Sequence, residues 1–261
     1  MIPISDDNPT LHTPWMNYVI LALIFGAWLL LQGAGFNDRL LAASVCNLGL
    51  VPAELLHTKP IGFQVPIAEG LACVVDDASI NWLTPITSMF LHGGWGHIIG
   101  NAAFLWVFGN NIEDSMGPWR FLTFYLLTGL IAAGVHMATA PGSPVPTVGA
   151  SGAISGIMGA YLVLYPRARV NYLIFLVIFI RVITIPAWMA LVWWFGWQVV
   201  AGLPQLNPVG NEISGGVAVW AHIGGFVAGL LLVKVFEKRA WVAQRKAAHD
   251  ARYGQVVGGR W

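Results

Sequence analysis

The sequence predicts an all-α polytopic membrane protein, a bundle of six transmembrane helices with a long outer loop between the first and the second. Two observations carry this. Apolar residues make up 57% of the 261 positions and charged ones 10%, at a mean hydropathy of +0.68, where a soluble domain is about a quarter charged. Six apolar segments, 15–32, 95–108, 119–137, 148–165, 183–203 and 215–235, approach the roughly 20 helical residues that cross a hydrocarbon core of about 30 Å.

The first segment follows a tail, residues 1–14, that has no Lys or Arg and carries Asp6 and Asp7. A cleaved signal peptide would start with a basic stretch, so 15–32 reads as a span. The long segment 33–81 holds both cysteines, Cys46 and Cys73. Outside the membrane a disulfide is chemically permitted, and a bridge and a pair of unpaired buried thiols are both compatible with the sequence. The apolar run 83–91 is broken by His92-Gly93-Gly94. Adjacent glycines make a poor helix interior, so the second helix starts near Trp95. A short acidic inner loop with Glu113 and Asp114 leads to the third span. The fourth opens on the light stretch GASGAISG, 149–156. Residues 172–180 lie at the inner interface; Arg181 marks the start of the fifth helix, with Pro186 in its first turn, where proline is tolerated. After the sixth span, residues 237–261 read as a basic, partly disordered extension on the inner surface. Trp15, Trp82 and Trp119 stand at segment edges, where an amphipathic ring suits the headgroup layer.

Orientation follows from Lys and Arg. The inner loops hold Arg167, Arg169 and Arg181, and the C-terminal stretch adds Lys234, Lys238, Arg239, Arg245, Lys246, Arg252 and Arg260, whereas the outer loops hold only Arg39 and Lys59. Both termini are therefore expected in the cytoplasm. A net charge of +1 with no basic patch excludes nucleic acid as a partner.

None of the 12 acidic residues falls inside a span. That removes an aspartyl site, which needs two facing carboxylates, and an HExxH zinc site, which needs a glutamate beside its histidines. The spans instead contain His97, Asn101, Ser151, Ser155 and His222, polar groups that are costly in hydrocarbon unless paired or facing a cavity. The second, fourth and sixth spans all start at the outer face. At 1.5 Å per residue, His97 and Asn101 lie about 3 to 10 Å down, Ser151 about 5 Å and His222 about 10 Å. His97 and Asn101, four apart, share a helix face. Ser151, Ser155 and Gly159 line one side of the fourth span, with Gly152 and Gly156 beside them, and Gly225 and Gly229 follow His222 in the sixth. Two such small-residue faces pack closely, which would bring Ser151 against His222.

These residues resemble the motifs of the rhomboid family of intramembrane serine proteases: His92-x4-His97-x3-Asn101, then Gly149-Ala150-Ser151-Gly152, then Ala221-His222-x2-Gly225-x3-Gly229. Order and spacing match across a membrane domain of residues 15–236. The resemblance implies Ser151 as nucleophile and His222 as its general base and later acid. His97, Asn101 and the backbone N–H of Ser151 would hold the oxyanion, and His92 would support the outer end of the second helix. Gly149, Gly152, Ser155, Gly225 and Gly229 would stand structurally near the site. It further implies hydrolysis of peptide bonds in or near the transmembrane segments of single-span proteins that enter laterally from the lipid bilayer, without cofactor or metal, in a prokaryotic plasma membrane.

The chemistry is coherent. A serine hydroxyl is a weak nucleophile until a base takes its proton, fixed donors stabilise the oxyanion, and the lack of an intramembrane acid makes the pair a dyad. Two positions depart from the family pattern. Many members have an aromatic four residues after the serine, packed on the histidine; here Ser155 offers a hydroxyl to His222 or a water. The first outer loop also lacks the family's Trp-Arg pair. Three other readings compete: a silent relative that binds clients uncut, a transporter with polar groups in both halves of the bilayer, and a metal site of His92, His97 and His222.

Overall fold

The structure, a computed structural model, describes residues 1–176, 179–206 and 218–258. Glu212, residues 215–217 of the expected sixth span and Arg260 fall outside them. The chain is mostly helical. Strand β1 (Ile2–Asp6) precedes helix α1 (Trp15–Leu30), which takes up the first apolar segment. The segment after α1 then folds into α2 (Asp38–Leu48), α3 (Pro52–Leu55) and an antiparallel hairpin of β2 (Gln64–Ala68) and β3 (Leu71–Val74). Asn37 caps α2, its side-chain oxygen accepting from the N–H groups of Arg39 and Leu40 at 3.1 Å each. A disulfide joins Cys46 of α2 to Cys73 of β3, Cα atoms 5.2 Å apart. Of the two states open to these cysteines, the structure takes the bridge.

After α4 (Thr84–Thr87), helix α5 (Trp95–Phe104) starts just past the paired glycines. It does not end in the expected inner loop. A π-helical stretch, Leu105–Gly109, carries it into α6 (Asn110–Met116), so Glu113 and Asp114 are helical and buried. Both carboxylates are used by backbone donors. Glu113 accepts from the N–H groups of Met16 at 3.0 Å and Asn17 at 2.6 Å, donors that the start of α1 would otherwise leave unpaired. Asp114 accepts from those of Leu11 at 2.7 Å and His12 at 2.9 Å.

Next come α7 (Pro118–Thr139), α8 (Ser151–Leu164), β4 (Arg169–Leu176), β5 (Phe179–Pro186), α9 (Ala187–Gly202), α10 (Val219–Phe236) and α11 (Arg239–Gly258). Among the described residues, α7 and α10 are long and apolar enough to cross a membrane, and α1 and α8 are shorter apolar helices. The segment between α8 and α9 corrects the sequence reading. β4 and β5 pair antiparallel with Ile174 opposite Arg181, and β1 adds to the other side of β4, giving the order β1-β4-β5. Arg181 therefore lies in a strand, and Pro186 precedes α9 instead of sitting in its first turn. The run Val182-Ile183-Thr184-Ile185 is β-branched throughout, which suits a pleated sheet; hydropathy alone reads the same run as the start of a span.

Within the stretch after Phe236, expected to be partly disordered, Arg239–Gly258 form α11, and its Arg245 is fully buried. The Arg245 guanidinium donates to the carbonyl oxygens of Pro9, at 2.9 Å, and Asn111. Its Nε lies 3.3 Å from the Asp114 carboxylate, and it stacks on the Tyr165 ring at 4.8 Å. Nearby, Asp6 accepts from the Tyr161 hydroxyl at 2.5 Å and from Asn111 Nδ2 at 2.6 Å. Burial pushes its carboxyl up to about 6, because the charged form loses its hydration.

The seam that matters for function runs between α8 and α10. Gly152 and Gly156 face Gly225 and Gly229 so closely that a methyl group on either α10 glycine would overlap the carbonyl of its partner. A methyl group on Gly159 would likewise overlap the Phe226 carbonyl. Backbones touch directly, as small-xxx-small faces permit.

Candidate active site

Ser151 is the first residue of α8, so it sits at the positive end of the helix, beside first-turn N–H groups that have no carbonyl within the helix. Gly149 leads into it with φ of +130°, a region that only glycine adopts readily. A Cβ there would fall 2.7 Å from His97 Nε2 and 3.6 Å from Ser151 Oγ. Conformation and space both require glycine at this position, and the gap it leaves separates the His97 ring from the serine hydroxyl.

His222, in the first turn of α10, points one ring nitrogen at each neighbour. Nε2 lies 2.8 Å from Ser151 Oγ, and Nδ1 lies 2.9 Å from Gln198 Oε1 on α9. An amide oxygen only accepts, so Nδ1 carries the proton and Nε2 presents a lone pair to the serine hydroxyl. Trp194, one turn before Gln198, lies against the imidazole with ring centroids 5.8 Å apart. Ser155 does not take the place of the missing aromatic. Its hydroxyl donates to the backbone oxygen of Ser151 at 2.6 Å, an ordinary back-bond within a helix, and the His222 ring nitrogens meet Ser151 and Gln198 instead.

His97 Nδ1 accepts from the Gly93 N–H at 3.3 Å, which leaves Nε2, facing Gly149, as its donor. Asn101, one turn further along α5, is buried, and its amide Nδ2 has no acceptor among the described residues. His92 is fully buried and packs edge-on to His97, centroids 5.0 Å apart. Gln32 clamps the His92 backbone: its Oε1 accepts from the N–H at 2.9 Å and its Nε2 donates to the carbonyl at 2.7 Å.

A cavity of about 660 Å³ opens beside the pair, lined by His97, Gly149, Ser151 and His222 and by His136 of α7. His136 Nε2 lies 3.0 Å from Thr147 Oγ1. Sequence reading missed three residues here: His136, Trp194 and Gln198. The signal for Gln198 was present, since it is the single amide in the otherwise apolar α9, and a lone polar group in such a helix points to a partner. Both His222 nitrogens are engaged, and among the described residues no group of three His, Cys, Asp or Glu side chains is placed to hold a metal ion.

The arrangement is a hydroxyl with an acceptor nitrogen in hydrogen-bond reach, next to donors facing a cavity, as acyl transfer requires. Comparison with known proteins places the chain in a family. A family model described as the rhomboid domain matches residues 80–239, more than half of the chain. The chain is 31% identical over 211 residues to RHOMBOID-like protein 12, mitochondrial, of Arabidopsis thaliana, covering 75% of this chain and 57% of that protein. It is 40% identical over 81 residues to Rhomboid protease GluP of Bacillus subtilis, covering 31% and 15%. Over 101 residues it is 34% identical to Putative rhomboid protease YdcA of the same bacterium, covering 39% and 45%. The chain thus spans less than two thirds of the length of these relatives. They come from a bacterium and from a plant mitochondrion, so they give no support to a prokaryotic plasma membrane in particular. With a family match over residues 80–239, and with His97, Gly149, Ser151, Gly152 and His222 lining one cavity, the chain belongs to the rhomboid family of integral membrane proteins.

Proposed function

We propose that the chain is an intramembrane serine endopeptidase that hydrolyses peptide bonds in or near the transmembrane segments of single-span membrane proteins. The observation that carries this reading is the 2.8 Å approach of His222 Nε2 to Ser151 Oγ. His222 takes the hydroxyl proton as Ser151 attacks the scissile carbonyl, then returns it to the leaving amine; water admitted through the cavity hydrolyses the acyl-enzyme by the same steps. The oxyanion would sit in the gap at Gly149, beside His97 Nε2 and the Ser151 N–H, with the buried Asn101 amide, unpaired among the described residues, as a further donor. Each such donor typically contributes about a hundredfold to a thousandfold in rate. In this reading six helices cross the bilayer: α1, α5 continued through α6, α7, α8, α9 and α10. The termini are cytoplasmic and the disulfide-bearing segment lies outside.

Purified protein in liposomes, given a fluorogenic single-span substrate, tests this directly. Wild type cleaves, while Ser151→Ala and His222→Ala do not, and a fluorophosphonate is found by mass spectrometry on Ser151 only where His222 is intact. Equal cleavage by wild type and Ser151→Ala would overturn the assignment. Wild type that neither cleaves nor is labelled would favour a silent client-binding relative.

A further inference from the structure

We infer that Gln198 is a positioning residue for the dyad: its side-chain oxygen holds His222 in the tautomer and ring orientation that a general base needs. This rests on the proposed protease reading of Ser151 and His222.

Imidazole has two tautomers, and only the one with its proton on Nδ1 offers Nε2 as an acceptor to the serine. In triad enzymes a carboxylate fixes that choice. Here no acidic residue lies in any of the expected spans. The titratable groups that face His222 are His97 on α5 and His136 on α7, neither of which can take a carboxylate's part. The position on α8 where many relatives carry an aromatic is Ser155, bonded back to its own helix. What remains is α9. Gln198 Oε1 meets Nδ1 at 2.9 Å, and Trp194 lies against the ring at 5.8 Å. A third tie fixes the two helices at this level: the Trp220 indole N–H donates to the Gly202 carbonyl at 3.2 Å. A neutral amide therefore does what a carboxylate does elsewhere, and it is delivered by a helix different from those carrying the nucleophile and the base. Because it is uncharged, Gln198 orients the imidazole without the electrostatic stabilisation that a carboxylate gives the imidazolium.

The experiment compares wild type with Gln198→Leu and Gln198→Glu in liposomes, by steady-state kinetics over pH and by nitrogen NMR of protein labelled with 15N-histidine. Gln198→Leu is expected to lower kcat about 10- to 100-fold, part of what a general base contributes, with KM nearly unchanged. Its His222 resonances are expected to shift from a single Nδ1-protonated form to a mixture of tautomers. Gln198→Glu restores the single tautomer and most of kcat, and moves the acidic limb of kcat/KM to higher pH by about one unit, since an adjacent carboxylate favours the imidazolium. A Gln198→Leu protein that keeps the wild-type tautomer, kcat and pH profile overturns the inference. So does a loss of activity that follows a loss of folded protein and is not rescued by Gln198→Glu. The NMR comparison reads the Gln198–His222 contact even if no substrate is cleaved, so failure of the protease reading is told apart from failure of this one.

Discussion

Gly225 of α10 and Gly152 of α8 meet backbone to backbone, with no room for a methyl group between them. His222 lies one turn before Gly225 and Ser151 one residue before Gly152, so this contact sets how near the imidazole comes to the hydroxyl.

Gly225→Ala is therefore expected to cost about 1–3 kcal/mol of stability by overpacking and to part the dyad. Cleavage should fall more than tenfold, with a lowered Tm. Gly134→Ala on α7 is the matched control. A Cβ there meets nothing within 4 Å, so activity is expected to be unchanged. Thermal unfolding and cleavage assays on both proteins check the pair.

His97→Ala and Asn101→Ala test the oxyanion assignment. Each is expected to reduce kcat by about a hundredfold to a thousandfold, the range for one lost oxyanion donor, while KM changes little. A change confined to KM would instead assign these residues to substrate binding.

Arg245→Met takes away the guanidinium 3.3 Å from the buried Asp114 carboxylate and leaves it the His12 ring at 2.7 Å. Breaking one side of a buried pair typically costs about 3–5 kcal/mol. The double variant Arg245→Met with Asp114→Asn should recover part of that loss. Denaturation of the single and double variants measures it.

Asp6 makes stability depend on pH. Its carboxyl is raised by burial from 3.8 to about 6, so in this window the folded chain binds a proton that the unfolded chain has released. The stability it contributes is fully present below about pH 4 and is lost as pH rises through about 6. Asp6→Asn should flatten this part of the curve. Melting temperatures of both proteins at about pH 5 and about pH 7 check the sign.

The approach of Ser151 to His222 was legible in the sequence because small residues and histidines recur at helical spacing near both. The start of α5 was legible because two glycines rarely continue a helix. What escaped were long-range pairings. Nothing local shows that Gln198 will face a histidine 24 residues later, or that Glu113 will accept from the N–H of Met16, 97 residues before it. Hydropathy likewise cannot separate β5 from the first turns of a span, because both are apolar runs; only the partner strands β1 and β4 decide it.

The Arg245 contacts also have a consequence for biosynthesis. The guanidinium that grips the carbonyl of Pro9 leaves the ribosome more than 200 residues after it, the two being 236 positions apart. Until α11 is made, Asp114 lacks the guanidinium that lies 3.3 Å from it, and Pro9 lacks its donor. A nascent chain stalled after α10 would hold the parts of the dyad with its first residues still unfastened, in a form open to quality-control proteases.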